Sequence, residues 1–237
     1  MSRRTYSLLA LAGVAALVCA RLGVWQLSRL GERRALNATV AARLRQTPVA
    51  PWQLPADSGQ QRYRRVRLAG RAEYARELVL VNRSRDGSPG LHIVTPVRVA
   101  GRDTVVLVNR GWVYSGNGTD VDLARWRETD SVTVDGYVEI PSRRPGPARL
   151  AARREVPAYR WLDPQDAARA VGAPVTPYYV VWAAPPGEAQ PPPDRPVRVP
   201  PPALDEGSHL SYAIQWFSFA TVAVVGGAAF ARAHRRR

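Results

Sequence analysis

Lysine is missing altogether from this 237-residue chain, so all 34 basic side chains are arginine, and against 19 acids they leave a formal net charge of +15. A pI near 11.2 would ordinarily point to nucleic acid, because guanidinium forks pair with phosphate and release counterions. The lysine-free composition instead ties much of the basicity to a general preference for arginine, and no nucleic-acid reader motif is present. Membrane lipids and acidic protein surfaces are the expected partners, with no nucleic acid. Cysteine is nearly absent: Cys19 stands alone in an apolar run. A single thiol excludes an intrachain disulfide and the paired thiolates that hold a soft Cu(I) ion. Catalytic spacing is lacking too, with no Ser, His and Asp arrangement, no metal-spaced carboxylates and no phosphate-cradling glycine loop.

What is present is concentrated at the ends. Apolar residues make up 46% of the chain while mean hydropathy is −0.25, so the hydrophobicity lies in segments. After Ser2, Arg3 and Arg4, residues 6–20 are uncharged, and the run resumes beyond Arg21 through Leu27. A span needs about 20 residues to cross roughly 30 Å of hydrocarbon, so a helix here must take in Arg21, which can snorkel, with Trp25 at the interface. A cleaved signal peptide is the rival reading, with Val18 and Ala20 at the small-residue positions. The second run, 210–231, carries no charge over 22 residues and ends in a basic tail, 232–237. The positive-inside rule puts both termini in the cytoplasm and the middle outside it. Ala12, Ala16 and Ala20, with Ala223, Gly227 and Ala231, recur every four residues and would let two helices approach closely, although lipid-facing alanine-rich helices show the same spacing.

Between the anchors, 32–45 favours helix, with Leu36, Val40 and Leu44 four apart, and Pro48 and Pro51 end it. Strand-like runs follow at 63–68, 77–81, 92–99, 104–114, 131–140 and 178–182, bounded by Gly, Pro and Asp, and their spacing suggests an antiparallel sheet or a small barrel. Residues 163–171 form the one good internal helix, with Asp163 as cap, Pro164 at its first position and Gly172 after its end. The stretch 185–202 is dense in proline and reads as an extended tether. The expected organisation is a membrane-anchored α+β protein: a transmembrane helix at 1–30, a mainly antiparallel extracytoplasmic β domain with a short helix at 31–184, the tether at 185–208, a second transmembrane helix at 209–231 and a cytoplasmic tail at 232–237.

Four stretches carry a resemblance. They are Gly23, Trp25, Gln26 and Arg29 at the first anchor's outer end; GLHIVTP at 90–96; VLVNRGW at 106–112; and SHLSYAIQWFSF at 208–219, with Gly70 and Glu77 to Leu78 between them. In order and placement they resemble the surfeit-locus family of cytochrome oxidase assembly factors. The resemblance implies a non-enzymatic inner-membrane factor that helps build haem-copper oxidases. It implies the oxidase catalytic subunit as partner, haem-synthesis or other assembly proteins nearby, and haem a as a transient cofactor in some bacterial members.

It also implies His209 as the haem iron ligand, the histidine at the start of the second span. The usual residue before it is Asn; here it is Ser208. On a helix, Tyr212 and Trp216 share a face with His209 and offer aromatic walls for a flat macrocycle. The bland reading is an interfacial aromatic belt with a histidine that helps begin a helix. Trp25, Gln26 and Arg29 present an aromatic, an amide and a cation, either facing His209 or serving as interface anchors. Asn109, Arg110 and Gly111 interrupt a strand as a bulge would, with Arg110 solvated or paired to a haem propionate or an acidic partner patch. His92 and His234 lack ligand-like neighbours, and Asp120, Asp122, Glu128 and Asp130 read as a solvated loop.

Overall fold

A computed structural model describes residues 3–141, 147–150, 156–185, 188 and 193–235. The expectations for Ser2, for Arg236 and Arg237 of the basic tail, and for Pro186, Gly187 and 189–192 of the tether lie outside the described residues. The chain divides into two units, Met1–Ala41 with Ala203–Arg237, and Ala42–Pro202.

The first unit is a helix pair. Helix α1, Arg3–Arg45, runs 43 residues because nothing after the apolar segment breaks it until Pro48, whose ring disfavours helical backbone in the residue before it. Helix α4 is His209–Arg235. Both are long and apolar enough to cross a membrane, and they leave Leu11, Leu17, Val222 and Val225 more than 60% exposed, as lipid-facing residues are. The helices meet along small residues. A side-chain carbon added at Gly23 would sit 2.8 Å from the Phe217 ring, and one at Gly227 would lie 3.5 Å from Ala12 Cβ. Ala16 and Ala213 are buried. The contacts run in opposite order along the two helices, so the pair is antiparallel, and the close approach supplies dispersion contact. Just before α4, Asn37 and Arg33 donate to the Asp205 carbonyl at 2.8 and 3.0 Å, and Arg34 grips Glu206 with two bonds of 2.8 Å. These exposed groups contribute little stability and serve mainly to set register.

In the second unit a short helix α2, Ser58–Gln61, precedes strands β1 (Arg65–Ala72), β2 (Leu78–Arg85), β3 (Ser88–Arg98), β4 (Val105–Tyr114), β5 (Ser131–Glu139), β6 (Ala158–Tyr159), helix α3 (Pro164–Val171) and strand β7 (Val175–Trp182). The strand order is β1-β5-β7-β4-β3-β2-β6, and β1 also pairs with β3 through Arg71↔Arg98 and Ala72↔Val97. That last pairing closes β1, β5, β7, β4 and β3 into a ring. Alternation along the strands fills it: Val66, Leu68, Val106, Val108, Val134 and Val180 point inward, while Val105 and Leu107 point to the opposite face, where α3 packs Ala167 and Val171. The α3 cap is as its sequence reads, with Asp163 accepting from the amides of Gln165 and Asp166 and Gly172 left-handed at φ 68°.

The sheet is mainly antiparallel as expected, with five antiparallel pairings, and it is mixed because β4–β7 and β2–β6 are parallel. The proline-rich stretch is not a free tether in its described part: Val197 exchanges two backbone hydrogen bonds with Trp112, at 2.7 and 2.8 Å, and Arg198 is buried. Proline bars a continuous ladder but leaves Val197 free to pair. The outer side of the two-residue strand β6 is covered in turn by 148–150, with Leu150 N–H donating to Ala158 and Arg160 N–H to Ala148.

Candidate functional site

Where α4 begins, Gln26 is 9% exposed on α1 and His209 opens α4, with His209 Nδ1 and Gln26 Oε1 2.8 Å apart. A carboxamide oxygen only accepts, so Nδ1 carries the proton and donates it. In the neutral form of the ring this bond leaves one tautomer, and Nε2 has no partner among the described hydrogen bonds. An imidazole fixed at one nitrogen by a carbonyl and open at the other is the arrangement that metal-binding histidines share. Gly23, one turn before Gln26, permits this approach by leaving room for Phe217.

The other sequence-identified residues divide. Trp216 is half-buried and meets Phe219 edge to face at 5.9 Å, and Tyr212 is 46% exposed on the same helix. Trp25 is 51% exposed, and Arg29 turns to Glu32 at 2.5 Å. Of the three residues at the end of the first apolar run, only Gln26 is hydrogen-bonded to His209. No group of three or more His, Cys, Asp or Glu placed to hold a bare metal ion occurs among the described residues. A lone imidazole with one nitrogen unpaired, on a helix that also carries Tyr212 and Trp216, has the donor chemistry of a haem iron ligand.

In the second unit, Arg110 lies at the expected bulge: Ile93 pairs with Gly111 and Val94 with Asn109, leaving Arg110 as the extra residue. Its solvated reading is corrected. The side chain is 2% exposed, and Nη1 donates to Glu77 Oε1 at 2.9 Å while Nε and Nη2 reach Glu128 Oε1 at 3.1 and 2.8 Å. Nη2 also meets the Trp126 carbonyl, and the guanidinium stands 5.1 Å from the Tyr74 ring. Arg198 completes the cluster. It bonds the Arg110 carbonyl at 2.6 Å and Glu128 Oε2 at 2.5 Å, with its guanidinium 3.7 Å from the Trp182 ring centre. Two buried arginines thus face two glutamates, and no side of Arg110 is offered to a propionate or an outside anion. Glu128, read from sequence as part of a solvated loop, is corrected likewise.

The two glutamates respond oppositely to this setting. Burial pushes the Glu77 carboxyl above its ordinary value, and the Thr95 hydroxyl and Arg110 pull it back only in part; its Oε2 has no hydrogen-bond partner. Burial also acts to raise Glu128, but hydrogen bonds and charge from Arg198 and Arg110 outweigh it and hold the carboxyl below the usual range. Sequence reasoning missed Glu77, Glu128 and Arg198 as partners. The available signal was a charge in each of two valine and leucine runs, at Glu77 and Arg110, since a buried charge needs its opposite nearby.

Comparison with known proteins draws these features together. Residues 13–221 match the SURF1 family. The chain is 26% identical over 219 residues to a SURF1-like protein of Monosiga brevicollis, covering 85% of this chain and 78% of that one. It is 28% identical over 213 residues to a SURF1-like protein of Drosophila melanogaster, covering 83% and 68% of the two chains. A SURF1-like protein of Rickettsia felis is 26% identical over 213 residues, covering 86% and 88%. The match runs from the first apolar helix, across the closed sheet, to the helix that begins at His209, and the chain belongs to the SURF1 family.

Proposed function

We propose that this protein is a non-enzymatic assembly factor for haem-copper cytochrome c oxidase, and that it holds haem a transiently as cargo for the oxidase catalytic subunit. In this reading α1 and α4 span the inner membrane, both termini are cytoplasmic and the β unit lies outside. The observation that carries it is the 2.8 Å contact between Gln26 Oε1 and His209 Nδ1. Gln26 fixes the ring, which removes the entropy of choosing a tautomer and a rotamer and leaves Nε2 unpartnered. His209 Nε2 would hold the iron, and Trp216 and Tyr212 would lie along the macrocycle. One protein ligand with exposed aromatic neighbours suits a carrier, because the cargo must leave. The haem-independent alternative, a scaffold that steadies the catalytic subunit, draws on the exposed Ile214, Phe219 and Val222 of α4, an apolar face fit for a lipid-embedded partner.

Absorption spectra of the full-length protein, purified in detergent from cells making haem a, test the reading. Wild type is expected to carry haem, His209→Ala to lose it, and Gln26→Leu to bind roughly 10- to 100-fold more weakly, as loss of the group that orients a ligand does. A His209→Ala protein with the full haem complement of wild type sinks the carrier role. Normal oxidase activity in a deletion strain would sink both readings.

A further inference from the structure

The β unit holds an imidazole of opposite character. His92, on β3, lines a cleft of about 560 Å³ between the β2–β3 hairpin, the Trp112 ring and residues 197–200. Asn109 Nδ2 lies 3.1 Å from His92 Nδ1, while Asn109 Oδ1 accepts the Gly111 amide at 3.0 Å. The Gly111 bond fixes which end of the carboxamide is oxygen, so the end facing His92 is NH2 and can only donate. Nδ1 is therefore the acceptor and Nε2 carries the proton. Burial, with the charge of Arg83, lowers this histidine to about 4, so the ring stays neutral. A neutral ring with hydrogen on Nε2 cannot ligate a metal there; it offers a donor, which has no acceptor among the described hydrogen bonds.

Other groups around the cleft define what it can take. Arg85 extends over Trp112, its guanidinium carbon 6.0 Å from the ring centre, and the Ser84 hydroxyl stands beside it. Of the two acids at the rim, Glu188 is paired to Arg195, and Asp86, 88% exposed, lies 3.6 Å from Arg85. That loose contact is one an incoming anion can displace. Trp112, Val197, Val199 and Pro200 make an apolar floor. We propose that this cleft is a binding site for a carboxylate on a short apolar stem, with His92 Nε2–H and Arg85 gripping the carboxylate and Trp112 and Val199 packing the stem. Anionic and neutral heads on the same stem separate this grip from simple apolar burial, since bonds to charged acceptors are about twice as strong as neutral ones.

The chain has three histidines, so ¹⁵N-histidine NMR of the full-length protein in nanodiscs resolves each ring. The probes are 4-phenylbutyrate and 4-phenylbutyramide. His92 is expected to show the Nε2–H tautomer and to shift saturably with phenylbutyrate. Affinity falls by a factor of about 10 for the amide and for the variant Arg85→Gln, at a half-exposed position, while His209 and His234 stay unmoved. The Nδ1–H tautomer at His92, a shift that never saturates, equal response to acid and amide, or equal movement at His209 and His234 overturns the proposal.

Discussion

Replacing Arg110 with methionine probes the buried charge cluster most directly. The substitution keeps bulk but leaves Glu77, 3% exposed, with Thr95 as its remaining hydrogen-bond partner and with Oε2 already partnerless. Glu128 fares better because Arg198 still bonds both its oxygens. Removing one partner from a buried pair typically costs about 3–5 kcal/mol, whereas replacing the whole pair with apolar groups is often neutral. At roughly 2–4 °C per kcal/mol for a domain of this size, the melting temperature should fall by about 6–20 °C. The double variant Arg110→Met, Glu77→Leu should recover at least half of that loss. Near-UV circular dichroism of the full-length protein in nanodiscs follows the transition through Trp126 and Trp182, which lie against the cluster. The sign with pH is also fixed. Glu77 is already raised by burial, and loss of Arg110 raises it further, so the variant's deficit is greatest when the carboxylate is charged and shrinks as pH falls. A single variant within about 1 kcal/mol of wild type, or a double variant no better than the single, would refute the reasoning.

Gly111 has φ 131°, and a side-chain carbon there would sit 2.2 Å from the Val197 carbonyl. Gly111→Ala should therefore cost about 1–3 kcal/mol in strain and release the Val197–Trp112 pairing, which hydrogen exchange reads as fast exchange at both amides. His92 titrates at about 4 when folded against 6.5 ordinarily. Its stabilising effect is complete above pH 6.5 and is lost as pH falls toward 4, to the extent of about 3 kcal/mol. The plot of stability against pH should flatten over that window in His92→Gln.

Much of the fold could be read because its causes are local. Both long helices follow from uninterrupted apolar runs, α3 from Asp163, Pro164 and Gly172, and the β4 bulge from Asn-Arg-Gly inside a valine and leucine strand. A small barrel is one of two readings of the strand spacing, but that β1 and β3 are the strands that close it could not be read, because the closure rests on two residue pairs that carry no mark of it. Nor could the docking of Val197, since proline density argues against pairing and nothing in the sequence marks Trp112 as its partner. At the helix pair, Gln26 and His209 were both legible as polar residues at apolar ends, but their hydrogen bond depends on Gly23 admitting the Phe217 ring. Arg110 was misread as solvated because its counter-charges lie far off in sequence, at Glu77, Glu128 and Arg198.

The ring closure of the sheet and the cover over β6 have a consequence for how this domain can be approached. Among the described residues β1, β5, β7, β4 and β3 each pair on both sides, and β6 covers Val79 and Leu80 of β2, so a neighbouring polypeptide finds little template to extend. Recognition must then pass through side chains and the shapes between them, which discriminates among partners. In the proposed role beside an incomplete oxidase, such a domain would be spared from zipping onto unpaired strands.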